Sequence, residues 1–284
     1  MRYELKVAGF AAMALLNAAC SKGDAATVRE ETPAVASAPS QLTITAADFH
    51  FQAPRTTPAG VTNIHLVNQG PDFHHVQLVR LESGHSAAEL VELFAKGAEQ
   101  LPEWASFVGG PNSPAPGATS DATLDLEAGE YALVCIIPAK DGIPHLMKGM
   151  FVPLTVTPSS STAAEPVADV QLVLKDYTID ISPEIAAGKH TIRVTNSAEQ
   201  PHEVFIVKLA PGKSAPDLLA WMGKPEGPPP AMPLGGTTNL DTGESNYLTM
   251  DLTPGEYALY CFIPDAKDQL PHVAHGMVRQ ITVK

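Results

Sequence analysis

Cys135-Ile-Ile-Pro-Ala-Lys-Asp-Gly-Ile-Pro-His145-Leu-Met-Lys-Gly-Met150 is answered later in the chain by Cys261-Phe-Ile-Pro-Asp-Ala-Lys-Asp-Gln-Leu-Pro-His272-Val-Ala-His-Gly-Met277. Each stretch opens with a cysteine that closes an apolar run. Each ends on a histidine and, five positions later, a methionine. Upstream in each half an asparagine-bearing turn precedes a further histidine, Asn68…His74 and Asn196…His202.

The repeat extends well beyond these stretches. A shift of 128 positions pairs Asp48-Phe49 with Asp176-Tyr177, Gly60 with Gly188, Asn68 with Asn196, and His74-His75-Val76 with His202-Glu203-Val204. A shift of 126 then pairs Gly109-Gly110 with Gly235-Gly236, Gly129-Glu130-Tyr131 with Gly255-Glu256-Tyr257, and Cys135 with Cys261. A period this long means two tandem domains, each able to bury its own core, rather than a solenoid of short units. The expected boundaries are 41–157 and 169–284, joined by a polar linker over 158–168. A second apolar-poor stretch, 21–40, reads as a tether that cannot fold alone.

Within a copy the pattern is mostly strand. Thr191-Ile-Arg-Val-Thr195 alternates with period two, as do the runs His74 to Leu81 and His202 to Leu209. Glu130-Tyr-Ala-Leu-Val-Cys-Ile136 and Glu256-Tyr-Ala-Leu-Tyr-Cys-Phe262 read as largely buried strands. Turn residues such as Pro58-Ala-Gly60 and Pro254-Gly255 punctuate them, so each copy is expected to be a β-sandwich. One helix interrupts each, opened by the capping boxes Ser86-Ala-Ala-Glu89 and Ser214-Ala-Pro-Asp217. Behind each helix a Gly- and Pro-rich segment, 97–117 and 223–243, reads as a long irregular loop.

Three cysteines are present. Cys20 ends a leader in which Arg2 and Lys6 flank an apolar run over 7–16, too short to span a bilayer but suited to a secretory signal. Leu16-Asn17-Ala18-Ala19-Cys20 is similar to a bacterial lipoprotein cleavage box, although Asn17 stands where that box has leucine. On this reading residues 1–20 are a signal peptide, Cys20 is lipidated, and the protein is exported and tethered to a membrane of the cell envelope. Cys135 and Cys261 remain, one per domain at matching positions. A disulfide between them would need a special docking geometry, and inert burial is an alternative. A free thiol in an oxidising compartment is more simply explained by a metal. One thiolate, two imidazoles and one thioether form a donor set that suits copper.

These residues together resemble the cupredoxins, the fold family of plastocyanin and azurin, in both halves and over nearly all of 41–284. The resemblance implies an all-β architecture, two tandem Greek-key sandwiches each with one short inserted helix. It implies a type 1-like copper site in each: His74, Cys135 and His145 with Met150 on the axis, and His202, Cys261 and His272 with Met277 on the axis. His75, Met147 and His275 are competing donors set aside on repeat register. The loop between cysteine and second histidine is longer than the family's usual one, with copper nitrite reductases nearest in length.

Multicopper oxidases and nitrite reductases place a histidine beside the cysteine. Here the neighbours are Val134, Ile136, Tyr260 and Phe262, and no nucleophile elbow or phosphate-cradling loop occurs. An enzyme is therefore not expected. A net charge of −13 argues against a nucleic-acid partner. It would suit steering to a basic redox partner protein such as a cytochrome. The expected function is single-electron transfer outside the cytoplasm. A copper-buffering or delivery protein and a metal-free interaction module stay open as alternatives.

Overall fold

The strands that carry the two cysteines are apolar on both faces because both faces are covered. In the computed structural model, which describes residues 37–284 except 99, Tyr131, Leu133 and Cys135 alternate into the first sandwich core. Ala132 and Val134 point the other way, beneath helix α1 (Ala87–Ala95). The second half repeats this: Tyr257, Leu259 and Cys261 enter one core, while Ala258 and Tyr260 lie under helix α2 (Ala215–Gly223). Side chains on a strand alternate between faces, so the same period that buries Tyr131 and Leu133 also aims Cys135 inward. Both helices begin at the expected capping boxes, with the Ser86 and Ser214 backbone N–H groups donating to Glu89 and Asp217 at 2.7 Å. The expected leader, the expected lipidation at Cys20 and most of the expected tether lie outside the described residues.

Each half is a cupredoxin-like, all-β sandwich. One sheet of the first half runs Thr119–Leu126, Gly60–Asn68, Ser40–Ala47, His50–Gln52, with Ser40–Ala47 parallel to Gly60–Asn68. Its counterpart in the second half runs Ser245–Leu252, Gly188–Asn196, Val170–Lys175, Thr178–Ser182, again with one parallel pair. The facing sheets are built around Gln77–Leu81 and Gly129–Val134 in one half, and His202–Leu209 and Gly255–Tyr260 in the other.

The two halves share their sheets. Tyr247 pairs with Thr123 to join one set of strands into an eight-stranded sheet, and Leu240 pairs with Val108 to join the other into nine strands. The segments read from sequence as irregular loops make the second junction. They contain strands Ala105–Gly109 and Ala231–Leu240. Their turn-like composition disguised this. Gly110 and Gly236 adopt φ of 132° and 126°, and a Cβ there would meet the carbonyls of Val76 and Val204 at 2.2 and 2.0 Å. Glycine is required where strands pass this closely.

The junction is self-complementary. Asn112 donates its backbone N–H to Gly236 O at 3.0 Å and Thr238 donates to Gly110 O at 2.9 Å. Asp241 donates to Phe107 O at 3.0 Å and Ala115 to Pro233 O at 3.3 Å. In the 126-residue register each bond is the repeat image of its neighbour, and Pro111 bridges its own counterpart Thr237. This is the arrangement of an isologous dimer, in which one patch meets its own copy about a two-fold axis. Here it is formed within a single chain.

Candidate metal centre

Asn68 and Asn196 shape the approach to the first histidine of each half. Their side-chain oxygens accept the N–H groups of Gly70 and Ala198, and their amides donate to the carbonyls of Asp72 and Gln200 at 2.9 Å. The turn so closed delivers His74 and His202 to the sandwich edge, both fully buried.

The other donors follow from strand pairing. Val134 faces Phe151 and Tyr260 faces Val278 in antiparallel register. The next positions, Cys135 with Met150 and Cys261 with Met277, are therefore cross-strand neighbours. The cysteine N–H donates to the methionine carbonyl at 3.2 Å in both copies, and directly opposed side chains lie on one face. All four residues are fully buried. Between them the long loop is pinched at its base by bridges Pro138↔Pro144 and Pro264↔Pro271. His145 and His272 donate their N–H groups to Ile137 and Ile263 O at 2.9 Å. The extra residues form an outward turn, and each histidine returns to its cysteine. One turn of 3-10 helix, His145–Lys148 or His272–His275, then ends on a left-handed glycine, Gly149 or Gly276.

The result is two buried clusters, His74–Cys135–His145 and His202–Cys261–His272, whose donor atoms all lie within 4.8 Å of one another. In the first, His74 Nδ1 stands 3.1 Å from His145 Nδ1, which is 3.5 Å from Cys135 Sγ. In the second, His202 Nδ1 and His272 Nδ1 lie 3.7 and 3.3 Å from Cys261 Sγ. It is the Nδ1 edge of the rings that converges. Two imidazole lone pairs facing one sulfur are poorly satisfied by each other and fit a bound cation.

Three of the four outward Nε2 edges face carboxylates, while that of His145 has no hydrogen-bond partner among the described residues. His202 Nε2 hydrogen-bonds Asp176 at 3.0 Å, His74 Nε2 lies 3.4 Å from Asp48, and His272 Nε2 lies 3.7 Å from Asp265. A carboxylate on the far nitrogen fixes ring orientation and tautomer at metal sites. Phe49 and Tyr177, the residues after Asp48 and Asp176, hold φ of 61° and 64°. From there they set their ring edges against His145 and His272 at centroid distances of 5.2 and 5.7 Å. Left-handed backbone at a bulky residue costs on the order of 1–3 kcal/mol and persists where the surroundings hold it.

Burial disfavours protonation of these imidazoles. Desolvation lowers His74, His145 and His202 below the usual histidine range and takes His272 to about 4. Burial also pushes the Cys135 thiol up to about 12 and raises Cys261, partly offset by backbone N–H groups of His75 and Ile137 or Glu203 and Ile263 directed at the sulfur. Without a metal the thiols stay protonated, and a cation bound there displaces one proton per site.

The competing donors are engaged elsewhere. His75 accepts the Ile136 N–H at its Nε2, 3.0 Å away, and its repeat partner Glu203 accepts the Phe262 N–H at 3.0 Å. Met147 packs in the apolar cluster under α1. His275 hydrogen-bonds Asp268 at 3.2 Å and leans on Tyr177. Asp48, Phe49, Asp176, Tyr177, His75 and Glu203 were visible in sequence only as repeat register. Their coincidence in that register with the four donors was the available signal.

No family model matches the chain, and no curated protein matches it. Among solved structures it is similar to auracyanin from Roseiflexus castenholzii at 19% identity and a TM-score of 0.31, over 43% of this chain and 100% of that one. It is similar to a blue copper oxidase from Nitrosomonas europaea at 13% identity and a TM-score of 0.26, over 87% and 86% of the two chains. It is also similar to a copper nitrite reductase from the same organism at 14% identity and a TM-score of 0.25, over 86% and 93%.

Proposed function

We propose that this protein carries single electrons through two type 1-like copper centres, one in each half. The observation that carries the reading is the buried Nδ1, Nδ1, Sγ convergence, present twice, with a buried methionine opposite each cysteine on the neighbouring strand. Two imidazoles, a thiolate and a weak thioether are the donor set of electron-transfer copper, whereas zinc seeks four firm tetrahedral ligands. Copper bound there would supply a one-electron couple. The chain's own contribution is rigidity: strand pairing fixes cysteine and methionine, the asparagine turn and the proline-clipped loop fix the histidines, and Asp176 holds the His202 ring. A cage that holds its shape in both oxidation states needs little reorganisation.

The donor side chains are all buried, an arrangement that offers no open position for substrate chemistry at either centre. Beside each second histidine sits an exposed apolar residue, Ile143 at 46% and Leu270 at 52%. These suit brief docking of a partner redox protein, a cytochrome being the expected type. The residues a metal-relay role would need, His75, Met147 and His275, are held by other contacts. Function outside the cytoplasm and anchorage through Cys20 belong to the same proposal. Among the described residues no helix is long and apolar enough to cross a membrane.

Copper titration of the purified protein, read by visible absorption and electron paramagnetic resonance, tests this reading. Two equivalents giving an intense thiolate-to-copper band with narrow hyperfine splitting are expected. Tight Cu(I) binding without that band would point to copper buffering, and no binding in either oxidation state would leave the interaction module.

A further inference from the structure

Between the two halves lies a cleft of about 1000 Å³, large enough for a drug-sized molecule. Phe73, His75 and Ile136 of the first half and Glu203, Trp221 and Phe262 of the second line it. Its walls are apolar and aromatic, with the Phe205 and Phe262 rings 6.0 Å apart on one side. Ile136 and Phe262 directly follow the two cysteines.

One polar group in this cleft is unspent. His75 is 4% exposed, and its Nε2 accepts the Ile136 N–H. A ring nitrogen that accepts carries no proton, so the ring's proton sits on Nδ1. That N–H has no hydrogen-bond partner among the described residues. The ring lines the cleft, so this donor is open to an acceptor that enters from outside. Across the cleft, Glu203 is 8% exposed. Its two oxygens take the Phe262 N–H and the Asn112 amide, both at 3.0 Å, and each oxygen retains a lone pair for a further donor. Glu203 supplies no positive charge for an anionic guest, and the aromatic walls favour a flat one.

We propose that the interdomain cleft is a binding site for a neutral aromatic molecule bearing a ring carbonyl or hydroxyl, of the quinone–hydroquinone class, whose oxygen accepts a hydrogen bond from His75 Nδ1. The site is built from protein groups alone and stands whether or not the cysteine clusters hold copper.

The test uses metal-free protein and 2,3-dimethyl-1,4-naphthoquinone, with naphthalene as the oxygen-free control. Binding is read by calorimetry and by quenching of Trp221. The chain has two tryptophans, and Trp104 stacks on His85 at 4.1 Å, away from the cleft, so Trp221→Phe and Trp104→Phe assign the signal. Saturable binding of one molecule per chain is expected, with naphthalene about tenfold weaker for want of one hydrogen bond. Ala115→Trp, which fills the cleft from a rim position, is expected to weaken binding at least a hundredfold. His75→Phe should weaken the quinone about tenfold and leave naphthalene unchanged, which a merely structural role would not do. Absence of saturable binding, binding untouched by Ala115→Trp, or equal affinity for quinone and naphthalene would overturn the proposal. Because no metal is present, failure here is separate from failure of the copper titration.

Discussion

Behind Cys135 the first half places His75; at the same register behind Cys261 the second places Glu203, and both accept the N–H of the residue that follows the cysteine. The backbone task is identical and the charge is not. The second half also sets Asp265 beside His272, held by Tyr177 and Gln200, where the first half has Ala139 and the hydroxyl-free Phe49. Tyr177 holds the Asp265 carboxyl well below its usual range, so it is ionised near neutrality. The donor cage is a property of the strands and turns common to both halves. Its electrostatic surroundings are set by single residues that can differ while the fold stays the same.

The comparison breaks most sharply at the thiolates. Cys135→Ser and Cys261→Ser should each remove one copper equivalent and about half of the charge-transfer absorption, and the double variant should remove all of it. A disulfide is excluded as an alternative if each single variant still folds and keeps the other band, in line with two buried free cysteines.

Unequal surroundings should give unequal potentials. Negative charge near a metal favours its more oxidised state, so the second centre should lie lower. Asp265→Asn should raise it by roughly 60 mV, the one-electron equivalent of about 1.4 kcal/mol. Glu203→Gln should do so only above about pH 7, where Glu203 is ionised, and both should leave the first centre unmoved. Spectroelectrochemistry of each single-cysteine variant reads this directly.

Asn112 links the halves by donating to Glu203 at 3.0 Å. Asn112→Ala leaves a buried carboxylate oxygen unpaired and should cost about 1–3 kcal/mol in denaturant unfolding. Thr238→Val, at the repeat-equivalent position, loses only long hydrogen bonds of 3.3–3.5 Å to carbonyls and should cost less.

A further effect concerns pH. Burial raises Glu203 to about 7 from an ordinary 4.5. The folded state therefore holds this proton more tightly than the unfolded chain. The associated stability is complete below about 4.5 and is lost as pH rises through about 7. The buried histidines have the opposite sign, so the informative quantity is a difference. The stability of metal-free wild type minus that of Glu203→Gln should fall across that window, by at most about 1.4 kcal/mol per pH unit. A flat difference would place Glu203 at an ordinary carboxylate pKa.

Much of this was legible from residues alone. The repeat gave the two halves, period-two runs gave the strands, and the capping boxes gave both helices. The spacing of cysteine and histidine marked side chains that the structure brings within 4.8 Å of one another. The shared sheets were not legible. The Gly-Gly pairs and prolines of the junction carry turn chemistry, and only the close approach of Val76 and Val204 explains why strands there need glycine. The far-side residues were hidden for another reason. An aspartate orienting an imidazole, or a carboxylate accepting one backbone N–H, has no spacing rule, because its position is defined by a hairpin tip or cross-strand register.

Potentiometric titration of the copper-loaded protein beside its Cys135→Ser and Cys261→Ser variants bears most directly on the account. Two one-electron steps are predicted, the lower lost in Cys261→Ser and the higher in Cys135→Ser. A protein that takes up no copper, or whose copper shows no reversible one-electron step in either variant, would contradict it.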